Sequence, residues 1–196
     1  SSPISSSRCA WASFRAPVSA VALNENTVTM TVRPAAEGAP ATVSFDPPGF
    51  VDMEGTVTTS GEGADGVGLV LAGSGQRLSA KVSGKVGVDA RVVRFTRRVD
   101  DPTLLAGYAL KSELDRAGIK VSREVKAGAA KGAVLARHAS EPLSSLLYSV
   151  GKNSDNFYAE MIFKTMGGEV KKRPARHADA AEVVKEWVTK VGAFEQ

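Results

Sequence analysis

The spacing of apolar residues changes near Asp101, and this change constrains the fold more than any other feature of the sequence. Before it, apolar and polar residues alternate, as in TVTMTV, where Val28, Met30 and Val32 lie on one face of a strand. After it, apolar residues recur at helical spacing, beginning where Asp101 can serve as an N-cap and Pro102 as the first helical residue. Strands followed by helices predict an α+β fold, with a β-rich body and an α-rich end.

The part before Asp101 contains short apolar runs separated by turn residues. Asn24-Glu25-Asn26 introduces the first run, and Asp-Pro-Pro-Gly at residues 46–49 is a strong break. Few of these runs could form a helix, so we predict strands in TVTMTV, ATVSF, VDMEGTVTTS, VGLVLAG, QRLSAKVSGKVGV and RVVRFTRRV. IKVSREV and AVLARH, which lie further along the chain, are also predicted to be extended.

Four helices are predicted after the change of spacing. The first begins at Asp101 and stops at Gly118. The second, SEPLSSLLYSV, has Ser140 as its cap, and the third, DNFYAEMIFKTM, ends at glycines 167 and 168. The fourth, ADAAEVVKEWVTKV, ends at Gly192. On the second and fourth helices the residues expected to be buried are Leu143, Leu146, Leu147, Val150, Val184, Trp187, Val188 and Val191.

The composition excludes several classes of protein. With 43% hydrophobic residues and no long apolar run, we predict no membrane span. Only 6% of the residues are aromatic and no basic stripe interleaves with them, so nucleic acid is not the predicted partner, although the net charge of +4 allows an anionic one. One cysteine, Cys9, and two histidines exclude an internal disulfide and a zinc-ligand spacing, and no cofactor is predicted. The opening SSPISSSRCAW lacks the basic and apolar regions of a signal peptide.

Three short matches to catalytic or binding motifs are set aside on their context. Residues 61–66 match G-x-G-x-x-G but lead into another strand rather than a helix. Ser149 and Lys152 match S-x-x-K, but we expect Gly151 to end the helix between them. Lys164 to Gly167 resembles K-T-G, yet it falls within a predicted helix.

The densest positive run is KKRPARH, residues 171–177, which we interpret as a solvated loop rather than a binding patch. His138 and His177 have no visible serine or carboxylate partner for triad chemistry. Both histidines are therefore interpreted as structural or solvent-facing.

Ser154, Asp155 and Asn156 form a polar triplet at the start of the third helix. Such residues usually cap helices. If Ser154 were the cap, a capping box would require Glu or Gln where Phe157 stands, which argues against that interpretation. The triplet becomes specific only through the sequence that surrounds it.

The segment HASEPLSSLLYSVGKNSDNFYAEMIF closely resembles the region around the second active-site motif of class C low-molecular-mass penicillin-binding proteins, the D-alanyl-D-alanine carboxypeptidases/endopeptidases. Upstream, RAPVSAVALNENTVTMTVRPAAEG is similar to the family's Asn-x-Asn strand segment. KVSGKVGV and VDDPTLLAGYALKSELDRAGIKV are similar to the segments that follow it. The resemblance covers the chain from about Trp11 to Gly192.

The resemblance implies β-rich inserted domains followed by the helical part of a β-lactamase/transpeptidase-like catalytic domain. By this likeness residues 1–15 end a first inserted β domain, 16–91 form a second, 92–138 return through the first, and 139–196 belong to the catalytic domain. The family's S-x-x-K would precede this chain and its K-T-G would follow it. The chain is thus expected to be partial and to carry only the second of three motifs.

The resemblance also implies the chemistry, which is acyl transfer through an acyl-enzyme. Ser154 would act as a proton shuttle, because its hydroxyl both donates and accepts. Asn156 would bind the substrate amide or contact the catalytic lysine, and Asp155 would hold the turn through backbone N–H groups. Glu160 and Phe157 would support the turn. The implied partners are peptidoglycan stem peptides, β-lactams and the remaining segments of the same protein, in the periplasm or another extracytoplasmic compartment.

Two other interpretations were weighed. A class A β-lactamase also carries Ser-Asp-Asn, but in an all-helical domain soon after its S-x-x-K, whereas more than a hundred residues of β-rich chain precede it here. A non-catalytic module that binds or scaffolds the cell wall could keep the same fold. The sequence leaves open whether carboxypeptidase or endopeptidase activity dominates.

Overall fold

Strands and later helices fall into separate units of the computed structural model, which describes residues 17–61, 66–74, 77–129 and 132–192. One unit spans residues 1–130 and the other residues 131–196. The predicted α+β class is therefore confirmed: among the described residues the strands lie in the first unit, and three of the four α-helices lie in the second.

The first unit contains two sheets. β1 (Thr27–Arg33) lies between β2 (Thr42–Asp46) and β7 (Val93–Arg98) in an antiparallel sheet. The strands of the second sheet are β3 (Val51–Gly55), β4 (Thr58–Ser60), β5 (Gly66–Ser74) and β6 (Arg77–Gly87). In this sheet β6 pairs in parallel with β3 and β4 and antiparallel with β5. All the strands predicted before Asp101 are confirmed, and VDMEGTVTTS forms two strands rather than one.

The core of this unit follows from the alternation in the sequence. Val28, Met30 and Val32 are buried on one face of β1, as their spacing predicts. Each fully buried aliphatic side chain stabilises the fold by roughly 1.5–3 kcal/mol relative to exposure. The buried residues form two clusters, Met30, Val32, Ala41, Val57, Val82 and Val86 in one, and Val28, Phe50, Leu78, Val99 and Leu105 in the other.

The turn before β1 has an uncommon backbone. Asn24, Glu25 and Asn26 have φ values of 48°, 52° and 55°, in the left-handed region that non-glycine residues seldom adopt. The buried Asn26 side chain holds this turn, since its Oδ1 accepts from Leu23 N at 3.1 Å and its Nδ2 donates to the Pro17 carbonyl at 2.7 Å. The Asn-x-Asn sequence therefore fixes how the chain enters β1.

Helix α1 (Pro102–Arg116) begins as predicted, because Asp101 Oδ1 accepts from Leu104 N at 2.9 Å. It ends at Arg116, and Gly118 two residues later, with a φ of 82°, is the stop that the sequence predicts, because Gly118 N donates to the Asp115 carbonyl and Ile119 N to the Leu114 carbonyl. Leu105 on this helix is fully buried in the second cluster. In residues 119–129 and 132–142 the structure contains no helix or strand.

The proposed domain boundaries remain predictions. The chain divides between residues 130 and 131, and β7, which follows residue 91, pairs with β1. We therefore retain the boundaries at 15, 91 and 138 only as the division that the family resemblance implies.

The second unit consists of three helices whose limits differ from those predicted. They are α2 (Leu143–Asn153), α3 (Asn156–Lys171) and α4 (His177–Lys190). Pro142, not Ser140, occupies the N-cap of α2, and no side chain caps it. The expectation that Gly151 ends this helix was wrong, because α2 continues through it to Asn153.

Gly167 and Gly168 also do not end a helix, because α3 continues to Lys171. A Cβ on Gly167 would lie 2.6 Å from the backbone N of Ala180 on α4. The glycine therefore permits close contact between the two helices, and this packing offsets the roughly 1 kcal/mol by which glycine disfavours a helix interior.

The basic run 171–177 is neutralised within this unit. Lys171 Nζ lies 3.1 Å from carboxylate oxygens of both Glu182 and Glu186, and Arg173 pairs with Asp179. The ring of His177 packs on Phe163 with 4.9 Å between centroids. This pairing agrees with the prediction that the run is not a binding patch, although Lys171 and His177 lie on helices rather than in a solvated loop.

The pair between Arg173 and the buried Asp179 ties the loop after α3 to the first turn of α4. The guanidinium lowers the pKa of the Asp179 carboxyl below its ordinary value. A carboxyl with a lowered pKa stabilises the folded state above its ordinary pKa, and this stabilisation is lost as the pH falls through the lowered one. The pair therefore supports the helical unit throughout the neutral range.

The two helical glycines give a matched pair of substitutions. Gly167→Ala should lower the free energy of unfolding by roughly 1–3 kcal/mol, because the added methyl group meets the backbone of α4. Gly151→Ala should leave it unchanged or raise it by up to about 1 kcal/mol, because no atom lies within 4 Å of the new Cβ. Urea unfolding of the full-length protein measures both, and a neutral Gly167→Ala would contradict the proposed close packing.

Candidate active-site junction

Only Ser154 and Asp155 separate α2 from α3, and we call these two residues the α2–α3 junction. Ser154 ends α2 in the left-handed region, with φ 54° and ψ 43°, and Asp155 is the N-cap of α3. Asn156 is the first residue of α3. The predicted triplet thus occupies the point where one helix ends and the next begins.

Asp155 is the residue that caps α3. Its Oδ1 accepts from Tyr158 N at 3.0 Å, and its carbonyl accepts from Ala159 N at 3.1 Å. A negative charge at this position also interacts favourably with the helix dipole. The N-cap is therefore one residue later than Ser154, which was taken as the cap when Phe157 was compared with the capping-box pattern.

The second oxygen of the Asp155 carboxylate faces α2. Ser149 Oγ donates to Asp155 Oδ2 at 3.5 Å, and Asn153 Nδ2 donates to Ser149 Oγ at 3.3 Å. The carboxylate therefore contacts both helices that flank the junction. The bonds of Ser149 and Asn153 were not predicted, because the helix was expected to end at Gly151, which would place Asn153 on a different element from Ser149.

Ser154 is exposed and keeps a side chain where glycine is usual. The left-handed conformation costs an L-residue roughly 1–2 kcal/mol. Within the described ranges, the structure gives the Ser154 hydroxyl no hydrogen-bond partner that would offset this cost. The hydroxyl is therefore directed to solvent and open to an incoming group.

Asn156 is also exposed, and its amide offers both a donor and an acceptor. Glu160 lies one helical turn further along the same face, where it pairs with Lys164 at 3.1 Å. Phe157 and Tyr158 contact each other with ring centroids 6.1 Å apart. Ser154 and Asn156 thus flank the residue that fixes the junction, and each presents a polar group to the outside.

The arrangement can relay a proton and bind an amide. A hydroxyl can accept a proton from one group and donate one to another, while a carboxamide can pair with a peptide group. Searched across the described residues, the structure holds no cluster of three or more His, Cys, Asp or Glu side chains placed to bind a metal ion. Of the helices in the described ranges, none is long and apolar enough to cross a membrane.

A groove of about 490 Å³ lies in the first unit, beside α1. It is lined by Gly49, Arg77, Tyr108, Lys111, Ser112, Asp115, Lys120, Val121 and Ser122. Its cations already have partners, because Arg77 pairs with Asp52 at 2.6 Å, Lys120 pairs with Asp115, and Lys111 donates to a backbone carbonyl. The groove is therefore a weaker candidate than the junction.

Comparison with known proteins gives a consistent result. The model of the family described as D-Ala-D-Ala carboxypeptidase 3 (S13) matches residues 10–193. A D-alanyl-D-alanine carboxypeptidase of an Actinomadura species is 33% identical over 146 residues, which make up 71% of this chain and 27% of that protein.

Two crystal structures of penicillin binding protein 4 (dacB) from Haemophilus influenzae are similar in fold. The structure in complex with a novel β-lactam has a TM-score of 0.64 and 22% identity, over 91% of this chain and 42% of that one. The other has a TM-score of 0.63 and 21% identity, over 93% and 41%. This chain therefore spans less than half of the length of these relatives.

The left-handed Ser154 leads to a prediction about stability. Ser154→Gly should raise the free energy of unfolding by up to about 1 kcal/mol, because glycine adopts this conformation without the steric cost. Ser154→Ala retains that cost and should bring no such gain. Thermal unfolding of the full-length variants checks this, and equal stabilities for the two would show that Ser154 is not strained.

Proposed function

This chain belongs to the D-Ala-D-Ala carboxypeptidase 3 (S13) family, and from this we propose that the protein containing it is a serine-type D-Ala-D-Ala carboxypeptidase. It would cleave peptidoglycan stem peptides through an acyl-enzyme, and penicillins would acylate the same serine. The observation that carries the proposal for this segment is the pair of exposed polar groups, Ser154 and Asn156, on either side of the capped Asp155.

In the proposed mechanism the nucleophilic serine and its lysine lie outside these 196 residues. Ser154 Oγ would accept a proton from the lysine side and donate its own to the departing D-Ala amine. The junction supports this role because its hydroxyl is exposed and its backbone is held by the Asp155 cap. A shuttle needs a fixed oxygen with a free proton, and this geometry offers both.

Asn156 would bind the substrate. Its side-chain amide can donate to a backbone carbonyl of the stem peptide and thereby align the scissile bond with the nucleophile. Asp155 would support both neighbours without touching the substrate, because its two carboxylate oxygens already accept from Tyr158 N and Ser149 Oγ. Glu160 and Phe157 would support the same end of α3.

We further propose that residues 139–196 form part of a transpeptidase-like catalytic domain, and that residues 1–15, 16–91 and 92–138 belong to inserted β-rich domains. Such a domain buries its helices against a central sheet. The helices of the second unit carry large apolar side chains that are more than half exposed, namely Leu143, Leu147, Tyr148, Val170, Trp187 and Val191. Strands from other segments of the same protein would cover this face.

The proposed substrate would put the protein in the periplasm or another extracytoplasmic compartment, where peptidoglycan is cross-linked. The leaving group decides between the two reactions: a carboxypeptidase would release a terminal D-Ala, and an endopeptidase would cut a cross-link. Both would pass through the same acyl-enzyme. The Haemophilus influenzae structure with a bound β-lactam motivates the corresponding proposal for this protein.

A non-catalytic module that binds the cell wall and keeps this fold is the alternative from another class. It would require neither the hydroxyl of Ser154 nor a complete set of catalytic motifs. An S-x-x-K segment before this chain and a K-T-G segment after it in the full-length protein would exclude it.

Substitution of the two site residues tests the function. In the full-length protein, Ser154→Ala should slow acylation by a fluorescent penicillin by roughly 10²–10⁴, the usual contribution of a positioned proton-transfer group. Asn156→Ala should mainly lower the turnover of a D-Ala-D-Ala peptide. Ser145→Ala, which removes an exposed hydroxyl from α2, is the control and should change neither rate.

The outcome that contradicts each role is specific. Acylation within threefold of the wild type would exclude Ser154 as the shuttle. Unchanged peptide turnover in Asn156→Ala would exclude its contact with the substrate. Circular dichroism of each variant establishes that the fold is retained.

The exposed apolar face of the second unit can be tested separately. If strands of the same protein cover α2, Leu147→Ser should lower the free energy of unfolding of the full-length protein by roughly 1.5–3 kcal/mol. Leu110→Ser on α1, where the side chain is 61% exposed against 51% for Leu147, serves as the control and should change it by less than about 0.5 kcal/mol. A Leu147→Ser variant as stable as the control would show that this face stays in solvent.

A further inference from the structure

Ser149 lies one turn before the end of α2 and connects that helix to the α2–α3 junction. Its hydroxyl donates to Asp155 Oδ2 at 3.5 Å and accepts from Asn153 Nδ2 at 3.3 Å. The side chain is half-buried, unlike those of Ser144 and Ser145 on the same helix, which are exposed. Ser149 is therefore placed to act on Asp155.

The two contacts of the Asp155 carboxylate restrict different degrees of freedom. The bond from Tyr158 N to Oδ1 fixes the carboxylate relative to α3, and the bond from Ser149 to Oδ2 fixes it relative to α2. With Oδ1 alone held, the carboxylate could rotate with α3, and the backbone of Ser154 could change without breaking that bond. With both oxygens held, the junction has one geometry.

We propose that Ser149 is a positioning residue, which locks the junction so that the Ser154 hydroxyl and the Asn156 amide keep a fixed separation and direction. This inference rests on the proposed function, because it assigns Ser149 a part in the same reaction. Both contacts are long, so the effect on the rate is moderate. The loss of one hydrogen bond of this kind corresponds to a rate reduction of about fivefold.

Ser149 and Lys152 also form an S-x-x-K on a continuous helix, so a nucleophilic role has to be distinguished from a positioning role. Within the described residues, the Ser149 hydroxyl donates to a carboxylate and accepts from an amide, and Lys152 is exposed and forms no hydrogen bond with it. Because Ser149 donates its hydroxyl proton to the Asp155 carboxylate, which also caps α3, that proton does not point to a lysine. The geometry points to positioning.

The test measures acylation of the full-length protein by a fluorescent penicillin in Ser149→Ala, Ser149→Thr and the control Ser145→Ala. Ser149→Ala should slow acylation about fivefold without lowering the melting temperature, because alanine favours a helix more than serine does. Ser149→Thr keeps the hydroxyl and should acylate within twofold of the wild type, as should the control. Ser149→Cys, of nearly the same size and with a weaker donor, gives the same comparison should the alanine variant fail to fold.

A double-mutant cycle separates positioning from a general effect on stability. In an Asp155→Ala background, Ser149→Ala should produce no further loss of rate, because the contact between the two side chains has already been removed. If Ser149→Ala reduced the acylation rate by the same factor in both backgrounds, the proposal would be overturned. Unchanged acylation in Ser149→Ala would also overturn it. A penicilloyl adduct mapped to Ser149 by mass spectrometry would overturn it in favour of the nucleophile.

The two levels of inference fail in different ways. If Ser154→Ala acylates normally, the proposed role of Ser154 as the shuttle fails, and the role of Ser149 fails with it. If Ser154→Ala is slow while Ser149→Ala is not, only the positioning role of Ser149 fails.

Discussion

The carboxylate of Asp155 is the interaction on which the candidate site depends. Two residues connect α2 to α3, and this leaves four soft backbone dihedrals to be fixed. One oxygen of the carboxylate accepts from α3 and the other from α2. The positions of the side chains on either side, Ser154 and Asn156, therefore depend on the carboxylate between them. The helix cap and the proposed site residues are here parts of one arrangement.

The strain at Ser154 belongs to the same arrangement. A left-handed residue that ends a helix is normally glycine, and serine adopts this conformation only against a steric cost. Hydrogen bonds from both helices hold the carboxylate of the next residue and keep the backbone in place. The stability of the neighbouring helices thus maintains a hydroxyl in a position that an unconstrained chain would avoid.

Much of the fold could be predicted because local spacing determines it. The alternation that buries Val28, Met30 and Val32, and the Asp101 cap of α1, are both visible in a few consecutive residues. The glycines at 151 and 167 were misinterpreted because their effect depends on distant atoms: Gly151 faces open space, and Gly167 faces the backbone of Ala180. For the candidate site, the family resemblance of the surrounding sequence singled out the triplet, but the choice of Asp155 as the cap and its bond to Ser149 depend on how two helices meet.

The pairing of β1 has a consequence for the order of folding. β1 can pair with β2 as soon as β2 has been synthesised. Its other edge pairs with β7, and the two strands are far apart in sequence, since Thr29 on β1 and its partner Thr96 on β7 are separated by 67 residues. At a synthesis rate of about 5–20 residues per second, that edge stays without its partner for roughly 3–13 seconds. β5 and β6 meanwhile form a hairpin from adjacent residues. The second sheet can thus be complete while the first still exposes a strand edge, and this interval is when a nascent chain is open to pairing with another copy.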